Sequence, residues 1–355
     1  MVTREIVSSK KNHRVVVTRH GGPDVLQIVE EDLPEPQAGE VRVKVLAAGV
    51  SAYDLMLRRS GSLPGTPPVP FTQGEDIVGL VDMLGEGVST IELGQRVAGA
   101  TFCHGVGGGY AEFICLPAID LVPVPSGLDP AEAVCLVANY ITAHVVMHRS
   151  ANVRSGERIL VHGAAGGVGT ALLELGKLAG LEMYGTASKH NHEVVSGLGA
   201  TPIDYRNQDF VERIRTLTGD GVDVVFDPVG GARHIWRSHQ VLRKGGRLVW
   251  FGMAAEKKAG LRVIPLTMLM VFLLKLIPNG KQAPLTPDLG NFTRTHNEWY
   301  RETLTKLLDL LAAGQIKPVV AERFPLTEAA RAHELLERGR YAGKVVLVTD
   351  VEPGS

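Results

Sequence analysis

Arg158–Leu173 reads RILVHGAAGGVGTALL, and Gly163, Gly166, Gly167 and Gly169 are spaced so that a phosphate could approach bare backbone. Arg158–His162 has the composition of a short strand, and from Val168 the apolar spacing through Leu172, Leu173, Leu175 and Leu178 is helical. A strand, a glycine turn and a helix start in succession present N–H groups at the positive end of a helix dipole. That is chemistry for holding a pyrophosphate. Gly163, Ala164, Ala165, Gly166, Gly167 and Val168 are the candidate contacts. About 20 residues further on, folds that bind NAD carry an acid for the ribose hydroxyls. Here the strand Glu182–Thr186 is followed by Ser188 and Lys189. A hydroxyl and an ammonium suit a 2′-phosphate, which a carboxylate would repel. The expected cofactor is NADPH rather than NADH.

These residues need a parallel sheet to position them. From Glu157 onward, short β-type runs alternate with helical patterns through Phe251, which predicts a doubly wound α/β sheet. Before Asp129 the pattern differs: His13–Val50, Ile77–Leu84, Arg96–Phe102 and Ala111–Leu116 read as strands separated by glycine turns, a compact β-rich unit. Asp129 is a plausible N-cap for a helix opening at Pro130, and Ile141–His148 is a second helical stretch. The expected division is a β-rich catalytic domain over 1–130, a dinucleotide-binding domain over 131–300, and a segment over 301–355 that returns to the first domain.

A chain of 355 residues exceeds one ordinary core, and its 45% hydrophobic and 21% charged residues are normal for a soluble protein. A net charge of −1 leaves no electrostatic footprint for nucleic acid. Three scattered cysteines, Cys103, Cys115 and Cys135, make no disulfide framework and fit a reducing, cytoplasmic setting. The apolar stretch Leu261–Ile277 is interrupted by Arg262, Pro265 and Lys275, so a buried or interface helix is expected and no integral membrane segment. His144 and His148 stand at metal-ligand spacing on a helix, but without an accompanying glutamate pattern they read as packing histidines.

Beyond these local readings, AGGVG after a strand, GTAS at 185–188, IDYR at 203–206, VFDPVGG at 225–231 and YAGKVVLV at 341–348 together resemble the medium-chain dehydrogenases/reductases. The chain is most similar to their zinc-free quinone oxidoreductase (zeta-crystallin-like) branch. NYITA at 139–143 resembles the synaptic-vesicle quinone-oxidoreductase-like group. The resemblance implies a GroES-like β-domain closing on a Rossmann domain, with the active site between them. It places the glycine turn on the pyrophosphate and Ser188, Lys189 and Tyr205 on the adenosine 2′-phosphate. Asn139 and Thr142 would face the cofactor near the nicotinamide. Asp227, Val229, Phe251 and Gly252 would lie along its nicotinamide side, with Lys344 near the closing C-terminal strand. Asp227 reads equally well as a turn residue before Pro228.

Zinc members of the family carry a cysteine after the strand equivalent to Val41–Ala48 and then a GHE motif. This chain has Ser51 in that loop and Gly74–Glu75–Asp76 at the motif, so no metal is expected. Without a Lewis acid, the accessible acceptors are already electrophilic: quinones and conjugated enones. Tyr53 and Ser51 are the candidate hydrogen-bond donors to the developing oxyanion, and Asp54 would position them or relay a proton. A homodimer through the edge strand around Arg247–Phe251 is also implied.

Overall fold

The computed structural model describes residues 11–61, 66–101, 108–254 and 263–349. Phe102, Cys103, Leu261 and Arg262, each part of a sequence expectation, lie outside them.

The first unit is β-rich, as the alternating patterns require. β1 (Lys11–Val17), β2 (Leu26–Asp32) and β4 (Phe71–Thr72) form a small sheet in the order β2-β1-β4. β3 (Glu40–Val50), the longest strand, pairs antiparallel with β5 (Asp76–Leu84), and β6 (Arg96–Ala100) and β8 (Leu121–Pro123) extend that sheet. β7 (Phe113–Pro117) also pairs with β3. Between β3 and β4, α1 (Ala52–Arg59) starts on a capping box in which Ser51 and Asp54 each accept the other's backbone N–H.

Asp129 caps Ala131 N–H, as expected, and opens a helical run over Pro130–Ala151. The two helical stretches read from sequence, α2 (Pro130–Cys135) and α3 (Ile141–His144), are joined and followed by wider π-type turns at Leu136–Tyr140 and Val145–Ala151. Among the described residues this 22-residue run has the length and composition of a membrane span, yet 67% of its 18-residue apolar window is buried. Leu136, Ile141 and Met147 pack in one core with Val78 and Ala98 of the β-rich sheet and Ile159 and Phe226 of the second sheet. Each such burial contributes ~1.5–3 kcal/mol, which explains why so apolar a helix stays inside.

The second sheet is wholly parallel: β9 (Arg158–His162), β10 (Glu182–Ala187), β11 (Thr201–Asp204), β12 (Val222–Asp227) and β13 (Leu242–Trp250), in the order β11-β10-β9-β12-β13. The chain runs outward from β9 through α4 (Gly167–Leu178), α5 (His192–Gly197) and α6 (Phe210–Thr218). It then returns to the other side of β9, so the switch point lies between the C-terminal ends of β9 and β12. α7 (Ala232–Gln240) follows β12. The outer edge of β13 is not free: Leu248 N–H donates to Gln282 C=O and Gln282 N–H to Gly246 C=O. The edge expected to serve a dimer is therefore covered by the chain's own 282–285 segment.

α8 (Val263–Lys275), expected as a buried or interface helix, is buried along one face only. Val263, Thr267, Val271 and Leu274 are buried, while Leu266, Met268, Leu269, Phe272 and Leu273 are 44–59% exposed. After α9 (Leu289–Thr295) and α10 (Asn297–Ala312), a strand missed in the sequence, β14 (Val320–Pro325), pairs with β15 (Lys344–Val348). α11 (Ala329–Arg338) connects the two strands. β15 joins β3 antiparallel, so the C-terminus does return to the β-rich sheet.

Candidate functional site

The glycine turn is built by close approach. Gly163 has φ +63, and a Cβ on Gly169 would lie 2.3 Å from Gly163 O, so α4 can start this near the strand only with glycine there. Gly166, the N-cap of α4, provides no side-chain cap. The first-turn N–H groups are thus left for an anion at a 12-residue helix's positive end. Ala164 and Ala165 are buried, and Gly166, Gly167 and Val168 are half-buried along the crevice. Asn139, on the first π-type segment, packs its amide against Gly167, where a Cβ would lie 2.2 Å from Nδ2. Thr142, one turn on, is half-buried and donates its hydroxyl to Ala138 C=O at 2.7 Å.

At the far end of the crevice, Ala187 pairs with Asp204 in register, which sets Ser188 beside Tyr205 on adjacent strand ends. Ser188 is buried and lies 3.3 Å from His190, while Lys189 is exposed and Tyr205 is 54% exposed. Arg206, whose guanidinium sits 5.9 Å from the Tyr205 ring centroid, adds a cation that the sequence reading did not single out. On the opposite side of the switch point, Phe251 N–H donates to Asp227 C=O, and Gly252 lies so near Pro228 that a Cβ would be 2.7 Å from its carbonyl oxygen. Val229 is half-buried in the same turn.

Asp227 itself is a turn residue. Its Oδ1 accepts Val229 N–H at 2.8 Å and Gly230 N–H at 3.0 Å, and its Oδ2 accepts the Ser238 hydroxyl at 2.8 Å. Fully buried and bonded within the fold, it shapes the loop under the cofactor crevice and offers it no free carboxylate. His162, Asp227 and His234 present ligand atoms within 4.8 Å of one another, a grouping that sequence spacing does not reveal. His162 already uses both ring nitrogens, on Thr186 and Ser238. Burial pushes its pKa down to about 3, so it stands as a neutral link in this network. His144 and His148 are packing residues as expected. Their rings lie 4.5 Å apart and His144 lies against Trp299, with burial, then His148, pushing His144 down to about 4.

The two units meet at Gly343. Its N–H donates to Ala165 C=O at 2.8 Å, and at φ +88 a Cβ would lie 1.9 Å from Val319 O. The next residue, Lys344, opens the closing strand β15 as expected. It is buried, and its Nζ donates to Asp76 Oδ2 at 2.7 Å. Burial works against its charge, but Asp76 outweighs burial and holds the ammonium above its ordinary pKa. Asp76 also accepts Gly49 N–H, so the pair locks β3, β5 and β15 together.

Beside that pair, Ser51 Oγ lies 2.7 Å from Glu75 Oε2 and accepts Asp54 N–H at 3.1 Å. Asp54 is fully buried. It accepts Ser51 N–H at 2.8 Å, Gly74 N–H at 3.2 Å and the Tyr110 hydroxyl at 3.2 Å, and Tyr110 in turn meets His333 at 3.3 Å. Asp54 therefore positions the Ser51 loop and is sealed from any acceptor. Tyr53 is 37% exposed, and partial burial, then the charges of Glu75 and Asp288, holds its phenol above the ordinary value. Met253 and Ile264 pack against Met56 and Leu57, so the start of α8 approaches α1 and forms an apolar wall near this loop. Sequence reasoning treated Glu75 only as a poor metal ligand. Its neighbours Asp54 and Asp76, brought in by the fold, give it different chemistry.

A doubly wound sheet that offers its switch point to a second, β-rich domain is the architecture of two-domain, dinucleotide-binding dehydrogenases. Residues 198–347 match the zinc-binding dehydrogenase family and residues 37–126 the alcohol dehydrogenase GroES-like domain. The chain is 34% identical to the synaptic vesicle membrane protein VAT-1 homolog of Rattus norvegicus, over 95% of this chain and 84% of that protein. It is 32% identical to the quinone oxidoreductase of Rattus norvegicus, over 94% and 96% of the two chains. The structure of Escherichia coli quinone oxidoreductase complexed with NADPH superposes with a TM-score of 0.82 at 29% identity, covering 95% of this chain and 99% of that one. The chain belongs to the medium-chain dehydrogenase/reductase superfamily.

Proposed function

We propose that this chain is a zinc-independent, NADPH-dependent oxidoreductase that reduces quinones or conjugated enones. The observation that carries the reading is the donor set facing the cleft, Ser51 hydrogen-bonded to Glu75 at 2.7 Å, where zinc members of the family place cysteine and histidine. A serine hydroxyl is a poor zinc ligand and one neighbouring carboxyl does not make the three-ligand set a catalytic zinc needs, whereas a hydroxyl and a protonated carboxyl are serviceable hydrogen-bond donors to an oxyanion. The uncapped start of α4 fits a pyrophosphate, and Ser188, Lys189, Tyr205 and Arg206 fit a 2′-phosphate. Bound there, NADPH supplies the hydride. Ser51 and Tyr53 would hold the acceptor oxygen, and Asn139 and Phe251 would flank the nicotinamide site. The relatives named quinone oxidoreductase support the acceptor class. Chelator-treated protein should consume NADPH with members of a quinone and enone panel. NADPH binding with no acceptor reduced would overturn the reading.

A second reading, a membrane-peripheral or interaction protein that binds NADPH with little activity, draws on one observation: the exposed apolar face of α8, including Leu269 at 54% and Phe272 at 59%. Co-sedimentation with liposomes that is lost in Leu269→Asp/Phe272→Asp would favour it, and absence of co-sedimentation would dismiss it.

A further inference from the structure

We infer that Glu75 is the proton source for the reduced acceptor, held as a neutral acid and delivering its proton through the Ser51 hydroxyl. The inference rests on the reading of the chain as a reductase and assigns the proton donor that reading leaves open. Three carboxyl groups come together here, Asp54 from the first turn of α1, Asp76 from the start of β5 and Glu75 from the residue before it. Two are already committed: Asp76 is paired with the buried Lys344, and Asp54 accepts two backbone N–H groups and the Tyr110 hydroxyl. Burial raises the Asp54 carboxyl above its ordinary range, and its hydrogen bonds from Ser51 and Gly74 oppose that rise. Glu75 has no cation of its own among the described residues and touches the Ser51 hydroxyl alone. Burial, then the charge of Asp54, pushes its pKa up to about 8, with Asp76 adding to the rise and Ser51 and Lys344 opposing it. Tyr53, the other titratable group facing it, carries no charge near neutrality. Like charges this close do not ionise together, so Asp54 and Glu75 keep a proton between them, and Glu75 is the member that meets the Ser51 hydroxyl.

The balance is simple. Hydride addition to an enone β-carbon, or to a quinone, leaves an oxyanion. That oxygen takes the Ser51 hydroxyl proton, Ser51 takes the proton of Glu75, and the Glu75 carboxylate is reprotonated from solvent. The Ser51 hydroxyl is free to rotate between the two partners, because its other contact, Asp54 N–H, uses a lone pair.

Two measurements test this. The first is kcat against pH for wild type, Glu75→Gln, Glu75→Asp and Ser51→Ala with an enone. The wild-type rate should fall on the alkaline side with an apparent pKa near the value of about 8 that the cleft imposes. Glu75→Gln should lower kcat by about 10²-fold near neutral pH with KM unchanged and the alkaline limb gone, and Ser51→Ala should lose the limb as well while also raising KM, since it removes a donor to the acceptor oxygen. Glu75→Asp should restore the limb in part. The second is Tm against pH of the cofactor-free proteins. A carboxyl raised by folding loses stability as pH climbs from its ordinary 4.5 to about 8, so wild type should weaken over that window relative to Glu75→Gln. Unchanged kcat and pH profile in Glu75→Gln would overturn the inference while leaving the reductase reading standing, and parallel Tm curves would overturn it as well. Reduction of no acceptor by any of these proteins would overturn the reductase reading, and the proton-delivery role with it, even where the Tm curves diverge.

Discussion

At the level of single side chains, the cleft shows that residue type sets what a group can do and the donors around it set what it does. The strand, glycine turn and helix start at 158–178 were legible in sequence because their pattern is local. The turn role of Asp227 and the positioning role of Asp54 were also open to a local reading, but their partners Ser238, Gly74 and Tyr110, and the pairing of Lys344 with Asp76, were not, because they come from other segments. Glu75 was misread for the same reason, since its chemistry depends on Asp54, 21 positions away. The exposed Lys189 gives a clean test of cofactor choice. Lys189→Ala should raise the Kd for NADPH about tenfold, ~1.4 kcal/mol, and leave the Kd for NADH unchanged by titration calorimetry. Equal losses for both cofactors would remove Lys189 from the 2′-phosphate site.

Among the elements, α8 is the most instructive. A helix apolar on every side reads as buried, because nothing in the pattern distinguishes an inner from an outer face. Only the packed structure separates Val271 and Leu274, which join the core beside α7, from Leu269 and Phe272, which face outward. Leu269→Asp/Phe272→Asp should leave the urea midpoint unchanged to within about 0.5 kcal/mol. Val271→Asp, which buries a charge, should cost ~3 kcal/mol or more. Comparable losses from both would mean that the outward face is covered in solution. β14 escaped the sequence reading because AERF breaks the apolar alternation that marks a strand, and its place is set by pairing with β15.

For the whole molecule, the joint between the two domains carries both stability and geometry. Gly343 binds the glycine turn to β15, and Lys344 binds β15 to β5 through Asp76. Lys344→Met would strand a fully buried Asp76 carboxylate, and a buried pair broken on one side costs ~3–5 kcal/mol. Chemical denaturation should show that loss, while Lys344→Met/Asp76→Leu should recover a large part of it. Acid should act on the same fold from the other side. Burial holds His162 and His333 near pKa 3 and His144 and His239 near 4, below the ordinary 6.5. The unfolded chain takes up protons there first, so stability is intact above pH 6.5 and is lost as pH falls toward those values. The urea midpoint should drop steadily over that window. A flat profile would mean that these histidines are solvated. The fold class was readable throughout, because strand and helix periods are local, whereas the acid cluster that defines the cleft exists only once β3, β5 and β15 are side by side.

The central claim, hydride transfer to an electrophilic acceptor without a metal, can be tested in one measurement. Chelator-treated protein is given NADPH carrying deuterium at both nicotinamide C4 positions and a conjugated enone, and the product is analysed by mass spectrometry. The structure predicts one deuterium, on the β-carbon, with the second hydrogen drawn from solvent. An unlabelled product, or a labelled one formed only after zinc is added, would contradict it.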